Sequence, residues 1–232
     1  HVKNESSRLI LLPEMPFYPF FPVQKTFSPL TWHEAVAAHD RWQERLTELA
    51  PATVLSARPV DVGNRRFNEG FVWDQDRGYR SAHTKYYLPD EEGAWEASWY
   101  QRGEGGFDPV QSGGASIGFL ICSELWFMER ARAYGQEGAH LLVTPRATQQ
   151  ATVDKWLVGG RASAVISGAY SLSSNRVSQT RQPTGFGGQG WIIEPDGDVL
   201  GVTSRDRPLL TLDLDLTQAE RAKTTYPRCL PD

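Results

Sequence analysis

The chain has 232 residues, 40% of them hydrophobic, with eight Trp, eight Tyr and ten Phe, which supplies one sizeable core and predicts a single domain over 1–232. Its net charge of −4 and its scattered basic residues leave no electrostatic footprint for nucleic acid, and no apolar stretch is long enough to span a bilayer. Two cysteines, Cys122 and Cys229, make neither a disulfide framework nor a metal site, so a reducing, cytoplasmic compartment is expected.

Residues 9–12 are a continuous apolar run closed by Pro13 and read as a buried strand. Residues 16–22 alternate proline with aromatics and read as an aromatic loop, because proline removes donors and fixes the backbone. A helix is predicted from Thr31. Thr31 and Glu34 have capping-box spacing, Trp32, Val36, Trp42, Leu46 and Leu49 supply an apolar face, and Pro51 ends the pattern. Strands follow at 54–57, 67–73 and 79–88, the last two joined by an Asp/Gly turn at 74–78. Residues 117–121 predict a strand, 125–134 a helix, and 140–144 another strand. The helix predicted over 153–165 contains Gly159-Gly160, which costs helix stability and marks a close helix–helix approach. A strand at 167–172 precedes a hairpin of 190–194 with 199–203. Residues 209–216 alternate, with Leu210, Leu212 and Leu214 opposite Thr211, Asp213 and Asp215, which predicts a half-buried strand. Strands interleaved with helices argue an α/β fold with some antiparallel pairing.

Chemistry concentrates in four segments. Cys122 closes an apolar run that begins at Ala115, and a helical pattern starts directly after it. A thiol on such a strand-to-helix turn stands exposed at a sheet edge, near free backbone N–H groups that lower its pKa. On its own the same cysteine also reads as a small buried hydrophobe. Glu14 sits just beyond the first strand, where catalysts gather in α/β sheets. Alternation puts His83, Lys85 and Tyr87 on one face, so the lysine points inward, and His83 is read as structural. Glu96 is an acid among tryptophans. Singly, each of the three charged residues also reads as an ordinary surface or loop group.

Together the order Glu14, Lys85, Glu96, Cys122 resembles the nitrilase, or carbon–nitrogen hydrolase, superfamily over nearly the whole chain. The matching words are Leu12-Pro13-Glu14, Lys85-Tyr86-Tyr87-Leu88-Pro89-Asp90, Trp95-Glu96-Ala97-Ser98-Trp99-Tyr100 and Gly118-Phe119-Leu120-Ile121-Cys122. They continue through 138–145, Ser173-Ser174-Asn175-Arg176 and 187–197, and they look most like the amidase and N-carbamoyl-amide hydrolase branch. The resemblance implies an αββα sandwich with mixed central sheets and helices on the outer faces, its four layers formed as two subunits pack together. The segments after Cys122 and around 153–165 would build that homodimer or larger homo-oligomer. It implies Cys122 as nucleophile, Glu14 as general base and Lys85 with the Ser123 N–H as oxyanion donors. Glu96 would hold Lys85 and the substrate, and either acid would activate water. No metal or organic cofactor is implied. The substrate would be a small amide or carbamoyl compound, alternatively a nitrile, and a further alternative is a relative that binds without turnover.

This chain departs from the family pattern at Ser123, where an aromatic residue is common, at Glu124, where many amidases have Asp, and at Met128, where Pro is common. Only residues 1–8 precede the first strand, so an opening strand that would pair beside 209–216 is expected to be missing from this sequence. Three residues are candidates for substrate contact. Ser123 adjoins the nucleophile, and Tyr18 lies in the aromatic loop, which reads as pocket wall, oligomer contact or core. Arg146 follows Thr144-Pro145 and reads either as a fork for a substrate carboxylate or as a solvent-facing arginine. Cys229 reads as a spare thiol.

Overall fold

The computed structural model describes residues 1–178 and 185–230. In chain order, β1 (Leu9–Glu14) leads into α1 (Pro29–Glu44), then β2 (Thr53–Val62), β3 (Arg65–Asp74), β4 (Gly78–Thr84) and the single turn α2 (Glu96–Trp99). The second half holds β5 (Val110–Ser112), β6 (Ala115–Phe119), α3 (Met128–Gln136), β7 (Leu141–Arg146), α4 (Val153–Ser167) and β8 (Tyr170–Asn175). It closes with β9 (Trp191–Ile193), β10 (Val199–Val202) and α5 (Leu216–Ala222).

Two mixed sheets result. One has the order β1-β2-β3-β4, with β1 parallel to β2 and the rest antiparallel. The other has the order β10-β9-β8-β7-β6-β5, with β6, β7 and β8 parallel. The sheets pack face to face through Leu55 and Val72 on one side and Ile117, Phe119, Leu141, Val143 and Tyr170 on the other. Each such buried side chain contributes about 1.5–3 kcal/mol of apolar burial. α1 covers the first sheet, while α3 and α4 cover the second, with Tyr134, Ala164 and Leu142 in their shared core. All four layers of this αββα sandwich come from one chain. That corrects the expectation that a second subunit completes them.

Local chemistry moved several boundaries. α1 starts at Pro29 rather than Thr31, because Ser28 is the cap and accepts the Thr31 N–H at 3.3 Å. Proline at the first helical position loses no needed donor. The expected Thr31–Glu34 capping box does not form, and Glu34 instead accepts the Tyr18 hydroxyl at 2.7 Å. The helix buries Trp32, Ala35, Ala38 and His39, a stripe of three- and four-residue spacing.

Gly159 and Gly160 mark a close approach, as expected, but to indole rings rather than to another helix. A Cβ on Gly160 would stand 2.6 Å from the Trp191 ring of β9, and one on Gly159 would stand 3.0 Å from Trp126.

Residues 209–215 form no strand, which corrects the reading of their alternation. The chain there is extended enough for Leu210 and Leu214 to pack on the inter-sheet core, while Leu209 and Leu212 face solvent. Alternation reports one buried face; a ladder also needs a partner strand, and none pairs with this segment among the described residues.

Candidate active site

The carboxyl ends of several strands converge. Glu14 is the last residue of β1, Lys85 follows β4 directly, and Cys122 comes three residues after β6. Arg146 ends β7, and Arg176 follows β8. Strand ends of α/β sheets are where side chains can gather without competing for ladder positions.

Four predicted residues meet here with almost no exposure. Lys85 Nζ lies 3.0 Å from Glu14 Oε1 and 2.7 Å from both carboxylate oxygens of Glu96. Asn68 of β3 donates to the same Glu14 oxygen at 2.7 Å. Glu14 Oε1 is thus used twice, and Oε2 has no hydrogen-bond partner. That spare oxygen is the one free to take a proton. Burial opposes the charge on Lys85, but the neighbouring carboxylates of Glu14 and Glu96 outweigh it and hold the ammonium well above its ordinary range. Burial pushes the Glu96 carboxyl up to about 7, against the pull of Lys85.

Cys122 sits at the start of a short 3-10 turn, Cys122–Trp126, with φ at 49°. Met15, next to Glu14, has φ at 51°. Left-handed backbone at two non-glycine residues stores strain where it aims side chains. The sulfur is buried rather than exposed at a sheet edge, with only 7% of the residue accessible. Its thiol is pushed well above the ordinary range, first by burial and then by the Glu14 charge. Lys85 and the Ala147 backbone N–H pull the other way without prevailing. The expected lowering by free N–H groups is therefore overturned: the turn is too short and too dry. A thiol that rests neutral needs a base if it is to attack, and Glu14 Oε2 is a buried carboxylate oxygen with no hydrogen-bond partner.

The candidate substrate contacts are placed differently from one another. Ser123 adjoins Cys122, and its hydroxyl donates to the Tyr87 carbonyl at 2.7 Å. The Tyr18 hydroxyl turns to Glu34 on α1, away from the four-residue cluster. Its aromatic loop packs Phe20 and Phe21 beside Met15, Trp99 and Tyr100, forming a wall behind Glu14 and Glu96. Arg146 is fully buried: Nε, Nη1 and Nη2 donate to Ser173, Thr148 and the Gln189 carbonyl at 2.6–2.7 Å. Its guanidinium lies 4.1 Å from the Trp191 ring centroid, and burial pushes its pKa down to about 9 despite the Cys122 and Glu14 charges nearby.

Three further residues stand around the cluster: Asn68, which the sequence did not single out, Arg176, which lies in one of the matching words, and Glu124, a departure from the family pattern. Asn68 steadies Glu14, and its only sequence signal is a polar residue beside Phe67 on a strand buried on both faces. Arg176 donates to the carbonyls of Met15 and Glu14, holding the strained turn after β1. Glu124 is wholly buried beneath the elbow. Among the described residues no group of three His, Cys, Asp or Glu could hold a metal ion, and no helix is long and apolar enough to cross a membrane.

A buried thiol, an acid with a spare oxygen, a fixed ammonium and a second acid near neutrality are the parts of acyl transfer by a cysteine. Comparison with known proteins points the same way. A family model described as carbon–nitrogen hydrolase matches residues 2–224. N-carbamoylputrescine amidase of Oryza sativa subsp. japonica is 26% identical over 180 residues, covering 70% of this chain and 59% of that protein. The chloroplastic omega-amidase of Arabidopsis thaliana is 25% identical over 236 residues, covering 97% of this chain and 63% of that protein. The chain thus spans about three fifths of the length of these two relatives. The crystal structure of a carbon–nitrogen hydrolase from Helicobacter pylori G27 superposes with a TM-score of 0.85 at 20% identity, covering 98% of this chain and 83% of that one.

Proposed function

The chain belongs to the carbon–nitrogen hydrolase family, and from that premise we propose that it is a thiol hydrolase releasing ammonia from a linear amide or an N-carbamoyl amine. One observation carries the proposal: Lys85 bridges Glu14 and Glu96 in a buried cluster close enough to Cys122 for ionisation of the thiol to favour the charged lysine. The names of the plant relatives, an N-carbamoylputrescine amidase and an omega-amidase, favour amide and carbamoyl substrates.

In the proposed cycle, Glu14 Oε2 takes the thiol proton as the Cys122 sulfur attacks the carbonyl carbon. The oxyanion that forms is held by Lys85 and by the Ser123 backbone N–H. Collapse returns the proton from Glu14 to the leaving nitrogen, ammonia departs, and a thioester remains. Water, losing its proton to Glu14 or Glu96, attacks the thioester, and the acid leaves with the thiol restored. Arg146 is a proposed substrate contact because no carboxylate is among its hydrogen-bond partners, but it is fully buried, and an anionic tail would have to displace its bonds to Ser173, Thr148 or the Gln189 carbonyl. Ser123 and Tyr18 complete the proposed contacts, Tyr18 through the aromatic wall. The whole chain acts as one domain in this reading. A working thiol needs a reducing compartment, which favours a cytoplasmic location in this reading.

The proposal includes a homodimer or larger assembly built on α4 and the segment after Cys122. Trp126 is 44% exposed with its ring 4.9 Å from that of Trp156, and Val158 of α4 is 65% exposed. An apolar surface of this kind favours a partner.

Ammonia release from a panel of amides, N-carbamoyl amines and nitriles tests the reading, together with intact-mass trapping of the acylated Cys122. A mass gain on Cys122 equal to the acyl group of the active compound is expected. Turnover confined to nitriles would move the protein to the alternative chemistry, and silence across the panel would sink the enzyme reading. Light scattering at increasing concentration tests the assembly; a persistent monomer would count against it.

A further inference from the structure

His83 and Glu124 are fully buried ionisable groups that the proposed cycle does not use. They join the two halves of the site. Glu124 Oε1 accepts the backbone N–H of Tyr86 at 2.7 Å, the residue after Lys85. Glu124 Oε2 accepts the backbone N–H of Ile121 at 2.9 Å, the residue before Cys122. One carboxylate therefore ties the lysine segment to the cysteine elbow, which otherwise belong to different sheets.

His83 completes the tie. Its Nε2 lies 2.8 Å from Glu124 Oε2, and its Nδ1 lies 3.0 Å from the Gly106 carbonyl oxygen. The Phe107 ring packs on it at 4.6 Å between centroids. The hydrogen-bond inventory then fixes the protons. A carbonyl oxygen only accepts, so Nδ1 carries a hydrogen. The facing oxygens of Glu124 already accept two backbone N–H groups, and a hydrogen on Nε2 gives the contact to Oε2 its donor. A ring that donates from both nitrogens is an imidazolium.

We propose that His83 and Glu124 form an imidazolium–carboxylate positioning pair that holds Lys85 and Cys122 at their working separation. The proposal rests on reading those two residues as oxyanion donor and nucleophile. The pair touches neither substrate nor reacting atom; it acts through the Tyr86 and Ile121 amides. Burying an ion pair costs desolvation, and removing one partner leaves the other uncompensated. The return here is geometric: a displacement of about 1 Å at such a site costs on the order of a hundredfold in rate.

Three measurements on the full chain test this. Ring 15N NMR of the wild-type protein should show both His83 nitrogens protonated at neutral pH, assigned by their loss in His83→Gln. An unprotonated Nε2 would overturn the pair. Glu124→Gln should lower kcat about a hundredfold with KM changed less than about threefold, as expected when only transition-state geometry is lost. His83→Gln, which keeps both backbone bonds to Glu124, should lower kcat about tenfold, and Glu124→Asp should recover part of what Glu124→Gln loses. If Glu124→Gln does not fold, His83→Gln and the wild-type spectrum decide. The third measurement, alkylation of Cys122 by iodoacetamide, should slow in step with kcat in each variant. Wild-type kcat and alkylation rates in both the Gln variants would refute the positioning role. The spectrum and the alkylation rate need no substrate, so they judge the pair even where Cys122→Ala, turning over like wild type, had refuted the catalytic reading itself.

Discussion

Lys85 Nζ and Glu14 Oε1 stand 3.0 Å apart with neither side chain exposed to solvent. The contact consumes one oxygen of the acid and directs the other to stay free. It also makes a lysine in a dry environment keep its charge, because two carboxylates surround it. The site is thus built on a division of labour within one carboxylate.

Glu14→Gln keeps the volume and the Asn68 and Lys85 neighbours but removes the proposed base. Because burial holds the Cys122 thiol neutral at rest, attack then lacks a proton acceptor. Ammonia release should fall by about a hundredfold to ten-thousandfold, the range of general-base contributions. Rates within a few-fold of wild type would remove Glu14 from the role.

Lys85→Met leaves Glu14 and Glu96 buried together without a cation. Breaking a buried pair in this way should destabilise the fold by about 3–5 kcal/mol, read as a shift of the urea midpoint. Loss of the proposed oxyanion donor should lower kcat by about a hundredfold or more. A variant as stable as wild type would show that one acid takes up a proton and that the lysine is not needed as counter-ion.

Glu96 makes stability depend on pH with a definite sign. Its folded carboxyl titrates near 7, above the reference value of 4.5. The native state therefore holds a proton that the unfolded chain releases earlier, so this contribution is complete below about 4.5 and is lost as pH rises through about 7. Urea midpoints measured between pH 4.5 and 8 should decline more in wild type than in Glu96→Gln. Parallel curves for the two proteins would contradict the raised carboxyl.

Gly160→Ala places a methyl 2.6 Å from the Trp191 ring. Trp191 is itself pinned by its indole N–H to Ser171 Oγ at 3.1 Å, so it cannot easily withdraw. The overpacked variant should lose about 1–3 kcal/mol on thermal or urea unfolding. An unchanged or raised melting temperature would mean that helix propensity outweighs the clash.

Much of this was legible before any coordinates. The words around Glu14, Lys85, Glu96 and Cys122 resembled a known family, and the structure brings Glu14, Lys85 and Glu96 into direct contact within electrostatic reach of Cys122. The hairpin around 195–198 and the turn at 74–78 were legible because their residues are local turn formers. The start of α1 was misplaced because two hydroxyl residues, Ser28 and Thr31, compete for the cap, and Pro29 decides between them.

Other features depend on what lies across space. Residues 209–215 alternate like a strand, but pairing needs a neighbour that alternation does not encode. Asn68 looks unremarkable in the chain and Glu124 shows only as a departure from the family pattern, because their partners are 54 residues and 38–41 residues away.

The sequence by itself determined which chemical groups are present, which faces are apolar and where the chain turns, because those depend on residue type and near neighbours. Only the tertiary structure decided their charges. Packing two sheets over Cys122 removed water, and loss of water is what raised the thiol and Glu96 while the gathered acids kept Lys85 charged. Proton affinity is a property of surroundings assembled from distant segments, so it appears only when the fold closes.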